Sequence, residues 1–271
     1  MVQFNALPRL ISIAAAALLI AACNGEAGPA RTPVASAAEA FRSADPGALS
    51  GVQDRLHAAL SEPAGARTHA LEAEIDALEA VEPGDAEALA YYRDYWLAYA
   101  LYQLSIERQR AGRIDDPQAP LQRAIAILTT ITPRDSEAHA LQAMAAGLNL
   151  QFVPRQEIMI AIGDVNASLG QALALDPNNV RGLYANALSD WNTPPEFGGR
   201  QRAEAYLRRA VAAPQEPARP LAPTWGHDLA HALLVEILLE TNRAEDARTL
   251  FETARSQFPD SAEIAALSGR F

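Results

Sequence analysis

The stretch that decides the fold is NRAEDARTLFETARSQFP, residues 242–259. Ala247, Phe251 and Ala254 follow one another at intervals of four and three residues, which places them on one face of a single helix. Pro259 comes shortly after them and ends the helix, because proline cannot continue the helical hydrogen-bond ladder. The two alanines let a second helix approach closely, and the phenyl ring fills the gap to a further helix. The pattern therefore predicts the second helix of a packed helical hairpin.

The same order of small, apolar and proline residues recurs upstream. Two earlier copies read Ala203, Leu207, Ala210 and Pro214, and then Leu169, Ala172 and Pro177. Prolines that end helical stretches recur about every forty to fifty residues, or at twice that interval, at Pro83, Pro133, Pro177 and Pro259. One proline for each pair of helices is typical of a solenoid built from helical hairpins. The alternative is an ordinary helical bundle, because alanine is common throughout the chain.

Nearly the whole chain after about residue 37 predicts helix. Leucine and alanine recur at spacings of three and four, and proline and glycine fall between the periodic stretches. The expected helices span roughly 48–61, 66–81, 85–110, 118–131, 136–152, 157–175, 180–191, 199–213, 226–241, 244–257 and 261–269. The step from Ala247 to Phe251 with its closing proline resembles the second helix of a tetratricopeptide repeat. We therefore expect an all-α, TPR-like solenoid of about five helix pairs plus a C-terminal capping helix over residues 37–271.

Two connections between helices are longer than the turns of a regular repeat. They read TPPEFGG at residues 193–199 and PLAPTWG at residues 220–226. With the aromatic helix around residues 91–99, they resemble a group of exported bacterial tetratricopeptide-like proteins that share T-P-x-x-F-G-G and P-L-x-P-x-W-G loops. The resemblance implies no reaction. The loop residues expected to support the fold are Phe197, Gly198, Gly199, Trp225 and Gly226, with Phe197 packed near Trp225.

The N-terminal segment is typical of an exported lipoprotein. Arg9 is followed by an apolar run over residues 10–20 and by small residues before Cys23, the only cysteine. The run is shorter than the roughly 20 residues that a membrane-spanning helix needs. It resembles a lipobox, which implies a signal peptide over residues 1–22, an acylated Cys23 and a flexible tether over residues 23–36. Asn24 in place of aspartate implies the periplasmic face of the outer membrane.

Composition excludes several classes of function. All 22 Lys+Arg residues are arginine, which excludes a pyridoxal-phosphate Schiff base and the lysine of a phosphate-binding loop. An acylated Cys23 leaves no thiol for a disulfide, a nucleophile or a thiolate zinc site. The formal net charge of −11 opposes binding to nucleic acid and to anionic lipid surfaces. We therefore expect no cofactor, no nucleic-acid partner, and contact with the bilayer through acylated Cys23 only.

First-helix residues supply the candidates for a partner-binding groove, because they line the concave face of this architecture. Asn186, Asp190 and Trp191 lie at helical spacing, and Asn149 is their counterpart one repeat earlier. The alternative is that they are ordinary solvated polar residues. Aromatic residues on an earlier helix could form a wall for a ligand or peptide, although such rings more often fill the space between hairpins. The candidate groove residues are Asn149, Asn186, Asp190, Trp191, Tyr92 and Trp96.

Two clusters of titratable residues do not need a catalytic or metal-binding interpretation. His227 and His231 stand four residues apart, a spacing that can hold a metal ion, but neither a third ligand nor an H-E-x-x-H glutamate accompanies them. No metal site is therefore expected. An acidic run on one helix is of the kind that usually faces solvent, and comprises Glu72, Glu74, Asp76 and Glu79.

The expected function is binding rather than catalysis. The inventory contains no convincing nucleophile, metal site or phosphate loop, so an enzyme ranks third. The first expectation is a lipid-anchored, non-catalytic TPR-like scaffold that binds a protein or peptide partner at the bacterial cell envelope. The alternative is a small-molecule-binding accessory subunit of a periplasmic solute transporter, because lipidated subunits of that kind have comparable size and architecture.

Overall fold

The computed structural model describes residues 47–111, 116–193, 199–214 and 221–271. These ranges form eleven α-helices, joined by turns and short 3-10 segments, and contain no strand. The helices are α1 (Val52–Ser61), α2 (Arg67–Glu79), α3 (Glu87–Arg110), α4 (Gln118–Thr130), α5 (Ser136–Asn149), α6 (Ile158–Leu175), α7 (Val180–Trp191), α8 (Gly199–Ala212), α9 (His227–Glu240), α10 (Ala244–Gln257) and α11 (Ala262–Ala266). Cys23, the predicted signal peptide and the predicted tether lie outside the described residues, and so do the loop residues Phe197 and Gly198.

Consecutive helices pack as hairpins, and the hairpins stack through their first helices. The five hairpins are α1–α2, α3–α4, α5–α6, α7–α8 and α9–α10, and α11 packs on the last of them. The first helices also contact one another in series, from α3 to α5, α7, α9 and finally α11. The predicted fold class, a solenoid of about five helix pairs plus a C-terminal capping helix, is confirmed.

The second helices bury the faces that the repeat pattern selects. In α8, the side chains of Ala203, Leu207 and Ala210 are fully buried. In α10, Ala247 and Ala254 are fully buried and Phe251 is 5 % exposed. An alanine at each end of the pattern keeps two helices close, and the larger residue between them fills the space that remains. The register predicted from sequence is therefore the register of the core.

Polar caps decide where several helices begin. Asp135 accepts a hydrogen bond from the Ala138 backbone N–H at 2.9 Å and starts α5, and Asn179 accepts one from Gly182 at 2.7 Å and starts α7. Each cap satisfies a backbone donor that has no partner inside the helix. At its other end α5 stops at Asn149, earlier than predicted, because the chain tightens into a 3-10 turn over Leu150–Phe152.

The acidic run on α2 joins helices instead of only facing solvent. Glu74 pairs with Arg55 of α1 at 3.0 Å, and Glu72 pairs with Arg108 of α3 at 3.0 Å. A third pair joins Glu79 to Arg123 of α4. These partly exposed pairs contribute little each, but together they connect α2 to three neighbouring helices. The sequence spacing alone does not show this, since the arginines come from other helices.

Candidate functional site

The aromatic residues of α3 form a packed row inside the solenoid. The Tyr95 and Trp96 rings meet edge to face with centroids 5.3 Å apart, and Trp96 meets Tyr99 in the same way at 5.7 Å. Every ring in the row is at most 7 % exposed, and the row comprises Tyr91, Tyr92, Tyr95, Trp96, Tyr99 and Tyr102. Edge-to-face contacts of this kind stabilise a core beyond the burial of area. Of the two interpretations that the sequence left open, core packing therefore describes these rings.

A short segment of the chain lies against this row. We call residues 221–226, which precede α9, the inner segment. The Trp96 indole N–H donates a hydrogen bond to the Leu221 carbonyl at 3.0 Å, across 125 positions of sequence. The Trp225 ring lies 5.0 Å from the Tyr99 ring. The inner segment thus occupies the surface where the sequence predicts an open groove.

The inner segment also reaches the first hairpin. Gln53 of α1 donates its side-chain amide to the Thr224 hydroxyl at 2.6 Å and accepts a bond from the Thr224 backbone N–H at 2.7 Å. The two residues are 171 positions apart in sequence. The solenoid therefore curls far enough for the approach to its last hairpin to meet its first.

A buried ion pair fixes the other end of the inner segment. Arg181 of α7 contacts both carboxylate oxygens of Glu137 of α5, with N–O distances of 2.7 and 2.5 Å. A third guanidinium nitrogen donates to the Trp225 carbonyl at 3.0 Å. The Arg181 side chain is 8 % exposed and Glu137 17 %. Because the fork of arginine suits a carboxylate and a carbonyl at once, one side chain ties α5, α7 and the inner segment together.

Burial raises the pKa of several titratable groups around this row. Burial raises the pKa of the Tyr91 and Tyr95 hydroxyls well above the ordinary value of 10.0. The Tyr91 hydroxyl donates to Asp135 at 2.7 Å, and burial raises the pKa of that carboxyl although the bond partly opposes the shift. Neutral phenols enclosed by other rings can pack and donate hydrogen bonds. The arrangement supports structure rather than proton transfer.

The polar groove candidates lie at contacts between helices. Asn186 donates its amide to the Gly182 carbonyl at 2.9 Å and to the Leu169 carbonyl of α6 at 3.4 Å. The Asp190 carboxylate accepts a hydrogen bond from the Arg202 guanidinium of α8 at 2.7 Å. The Arg200 guanidinium carbon lies 4.6 Å from the centroid of the Trp191 ring. Asn149 is half-buried, and its side-chain oxygen has no hydrogen-bond partner among the described residues. With Tyr92 and Trp96 buried, the six candidates do not meet on one open groove.

The described loop glycines and Trp225 lie at close contacts within the fold. A Cβ on Gly199 would collide with the Asp190 carbonyl oxygen and lie 2.7 Å from the Thr193 Cβ. Gly226 begins α9 with φ +112°, in the left-handed region that favours glycine. The Trp225 carbonyl accepts a hydrogen bond from Arg181, and the Trp225 ring packs against the Tyr99 ring. The role of Phe197 stays a prediction.

The histidine pair opens onto a cavity between the last two described hairpins. The cavity has a volume of about 350 Å³ and is lined by Val211, Ala213, His227, His231, Gln257 and Phe258. The His231 Nδ1 lies 2.7 Å from the His227 carbonyl, which leaves Nε2 as the free nitrogen of that ring. Burial lowers the pKa of both imidazoles, so both are neutral near pH 7. Among the described residues no group of three or more His, Cys, Asp and Glu could hold a metal ion.

The outward surface of α6 is apolar and has no covering helix in the described ranges. Only 22 % of this 18-residue helix is buried, and its mean hydropathy is 1.5. By length and composition it is the one described helix that could cross a membrane. The exposed large apolar side chains of the described chain are Met159, Ile160 and Leu175, all in α6. We call the exposed side of this helix the α6 face. Sequence reasoning missed it, although regular glycines and alanines over residues 163–174 are its signal.

Comparisons with known proteins agree with this architecture. A family model for the tetratricopeptide repeat matches residues 198–271. The chain is similar to the crystal structure of a thermophilic TPR protein from Thermus thermophilus, with TM-score 0.51 and 19 % identity over 79 % of this chain and 95 % of that one. A second similar structure is the HusA haemophore from Porphyromonas gingivalis, with TM-score 0.49 and 25 % identity over 69 % of this chain and 91 % of that one. No curated protein sequence matches the chain. The repeat-family match and the Thermus thermophilus structure therefore show a TPR-like fold.

Proposed function

We propose that this chain is a non-catalytic, lipid-anchored scaffold that binds a protein partner at the bacterial cell envelope. Stacked helical hairpins provide extended surfaces for association rather than enclosed reaction sites. The lipobox-like sequence before Cys23 supports anchoring on the periplasmic face of the outer membrane. The tether over residues 23–36 would let the solenoid stand away from the bilayer.

The α6 face carries the proposal. The inner face of the solenoid already holds the chain's own segment, so a partner meets the outer helices first. Ile160 is 70 % exposed and Met159 49 % exposed on an otherwise folded surface. Exposed apolar surface of this kind marks sites of association in soluble proteins. Protein binding therefore centres on the α6 face rather than on the concave residues.

An affinity purification from detergent-solubilised envelopes tests this function. The full chain should retain a reproducible partner, and Ile160→Glu should lose it. Binding would bury the new carboxylate without a partner, and this costs free energy that the free chain does not pay. Ala126→Glu adds the same charge to an exposed site on α4 and should keep the partner. If neither variant changes what is retained, the α6 face does not bind the partner.

The anchor has a test of its own. Cys23→Ser removes the thiol that acylation needs, so the variant should stay uncleaved or be released to the periplasm. Metabolic labelling with a fatty acid, followed by membrane fractionation, measures both outcomes. Retention on membranes after removal of the signal would exclude the lipoprotein assignment.

Binding of a small molecule is a second candidate, which the cavity beside His227 and His231 favours. Its volume of about 350 Å³ falls at the lower end of ligand sites, and three of its lining side chains offer hydrogen-bonding groups. Native mass spectrometry of the purified chain would detect a retained ligand. The mass difference should disappear in His231→Phe if the cavity holds the ligand.

A further inference from the structure

We infer that the protein bound by the α6 face is a second copy of this chain, paired across a two-fold axis with the two α6 helices antiparallel. The inference rests on the proposed function, because it names the partner of the surface proposed there. Three observations carry it: the spacing of the exposed residues, their self-complementarity, and the presence of only one charged residue along the contact.

The exposed residues of the α6 face repeat as in a two-helix seam. Steps of three, four, three and four residues connect Ile160, Gly163, Ala167, Gly170 and Ala174. This is the alternation of inward positions in a coiled coil, which keeps one stripe facing a partner helix. A Cβ on Gly163 or on Gly170 would meet no atom within 4 Å in the described chain. The seam is therefore open on the outside, and nothing in the fold of one copy requires glycine there.

The seam is complementary to itself in the antiparallel direction. Aligning the small residues places Gly163 opposite Ala174, and Ala167 opposite Gly170, so each contact joins a glycine to an alanine. A parallel pair would instead set glycine against glycine and alanine against alanine, so the direction of the pair decides which residues meet. Small residues of this kind let helix axes approach to about 8 Å. An isologous interface of this type is what two-fold homodimers use.

Charge along the seam also suits a second copy. The chain carries a net charge of −11, which opposes self-association over most of its surface. Asp164 is the only charged residue of α6 and lies beside the seam. The antiparallel register brings it near Gln171 of the second copy, whose amide can donate a hydrogen bond to a carboxylate. Apart from Asp164, the α6 face is thus an uncharged strip on an acidic molecule.

The same features favour a helix over a lipid bilayer as the occupant. A helix that lies on lipid gains its binding energy from large apolar side chains along its length. On α6 those side chains stand near the two ends, at Met159, Ile160 and Leu175, whereas the middle of the exposed side carries glycine and alanine. Asp164 and Asn166 are exposed beside them. Small residues give close packing against a helix and little transfer energy into hydrocarbon.

The contact area of the seam determines the affinity that we expect between the two copies. An 18-residue helix is about 27 Å long, and one face of it covers less than the roughly 800 Å² per partner of a standard interface. We therefore expect a dissociation constant in the micromolar range. Sedimentation velocity of the full chain in a mild detergent, over about 1 to 100 µM, should show a monomer–dimer equilibrium. A monomer at every concentration would overturn the inference.

Gly170→Leu separates a close-packed seam from a merely apolar patch. The free chain has room for the leucine, and its helix propensity is higher, so the melting temperature should hold or rise. In the dimer the leucine prevents close approach, and association should weaken about tenfold or more. Ala126→Leu on α4, also exposed, is the matched control and should dimerise like the parent. If Gly170→Leu associates as strongly as the parent, or more strongly, the seam is disproved.

Cross-linking tests the direction of the pair. With Cys23 acylated, Ala167→Cys supplies the only free thiol, close to the proposed axis, and a short bifunctional reagent should join two chains. Ile160→Cys should not be joined, because antiparallel helices hold the two residues about 26 Å apart. Cross-linking at both positions would indicate a parallel pair and contradict the inference. If the Ala167→Cys variant is a monomer whose introduced thiol resists a membrane-impermeant reagent, the α6 face contacts lipid and the inference is wrong.

The two proposals fail separately. If the chain is monomeric but Ile160→Glu loses a different envelope protein, the self-association is wrong and the scaffold function stands. If the chain is monomeric and Ile160→Glu loses nothing, both are wrong.

Discussion

At the scale of single residues, Gly199 shows how closely the hairpins are built. It begins α8 directly against the end of α7, and a Cβ there would collide with the Asp190 carbonyl. Gly199→Ala should therefore destabilise the chain by about 1–3 kcal/mol, as overpacking does. Gly147→Ala in α5 is the matched control, since its Cβ has open space and alanine favours helix. Urea unfolding should show a lower midpoint for the first variant alone. Equal midpoints would mean that Gly199 does not lie this close to the Asp190 carbonyl.

Arg181 is the second residue on which the interior depends. Arg181→Met leaves Glu137 in a largely buried place without its cation, so the free energy of unfolding should fall by about 3–5 kcal/mol. Adding Glu137→Gln should recover part of this loss, because the charge without a partner is then gone. Urea unfolding of both variants gives the comparison. A double variant no better than the single one would contradict the buried-charge explanation.

At the scale of the helix, α8 tests the repeat register. Ala210 is fully buried where α8 packs, whereas Ala205 on the same helix is exposed. Ala210→Leu should overpack this contact and lower stability by about 1–3 kcal/mol. Ala205→Leu adds the same volume to the exposed side and should leave the melting temperature nearly unchanged. Similar melting temperatures for the two variants would place the repeat in a different register.

The contact between α8 and the start of α10 predicts a dependence on pH. Hydrogen bonds from Arg243, and then from Arg208, lower the pKa of Glu204 from 4.5 to about 2. A carboxyl with a lowered pKa stabilises the fold fully above pH 4.5 and loses this effect as the pH falls toward 2. Glu204→Gln should therefore cost about 1 kcal/mol near neutral pH, given the partial exposure of the pair, and almost nothing near pH 2. Urea unfolding across this range measures the difference. A constant difference would rule out the ion pair as its source.

Local patterns predict the helices well, and the reason is physical. Each helix carries its own apolar period and ends at proline, glycine or a polar cap, so its bounds need no knowledge of the rest of the chain. The repeat register follows in the same way from Ala203, Leu207 and Ala210. The site is different. The spacing of Asn186 and Asp190 identifies a helix face, but not that α6 and Arg202 already bind it.

At the scale of the whole molecule, the contacts of the inner segment follow from curvature, which adds up over several hairpins. No local pattern near Thr224 indicates Gln53 as its partner. In the same way, apolar periodicity predicts α6 as a helix, yet only the assembled solenoid shows that its outer side stays exposed. These long-range features therefore need the structure.

The inner segment should make unfolding of the whole molecule cooperative. In an open array each hairpin contacts only its neighbours, and end hairpins fray independently. Here Gln53 joins the first hairpin to the approach to the last. Gln53→Ala should speed amide hydrogen exchange throughout α1 and α2, beyond the site of the change. Gln142→Ala, which removes hydrogen bonds confined to one pair of neighbouring hairpins, is the control. Unchanged exchange in α1 and α2 for Gln53→Ala would show that the two ends are not coupled.

The hydrogen bonds between Gln53 and Thr224 also fix the number of hairpins between these two residues. In solenoids in general each repeat contacts only its neighbours, so a unit can be added or removed within the array without breaking a distant contact. In this chain one hairpin more or fewer between Gln53 and Thr224 would rotate the two ends out of register and break their contact. Hairpins can therefore be added by duplication only outside the part of the chain between Gln53 and Thr224. Within that part, the contact between the two residues fixes the number of hairpins.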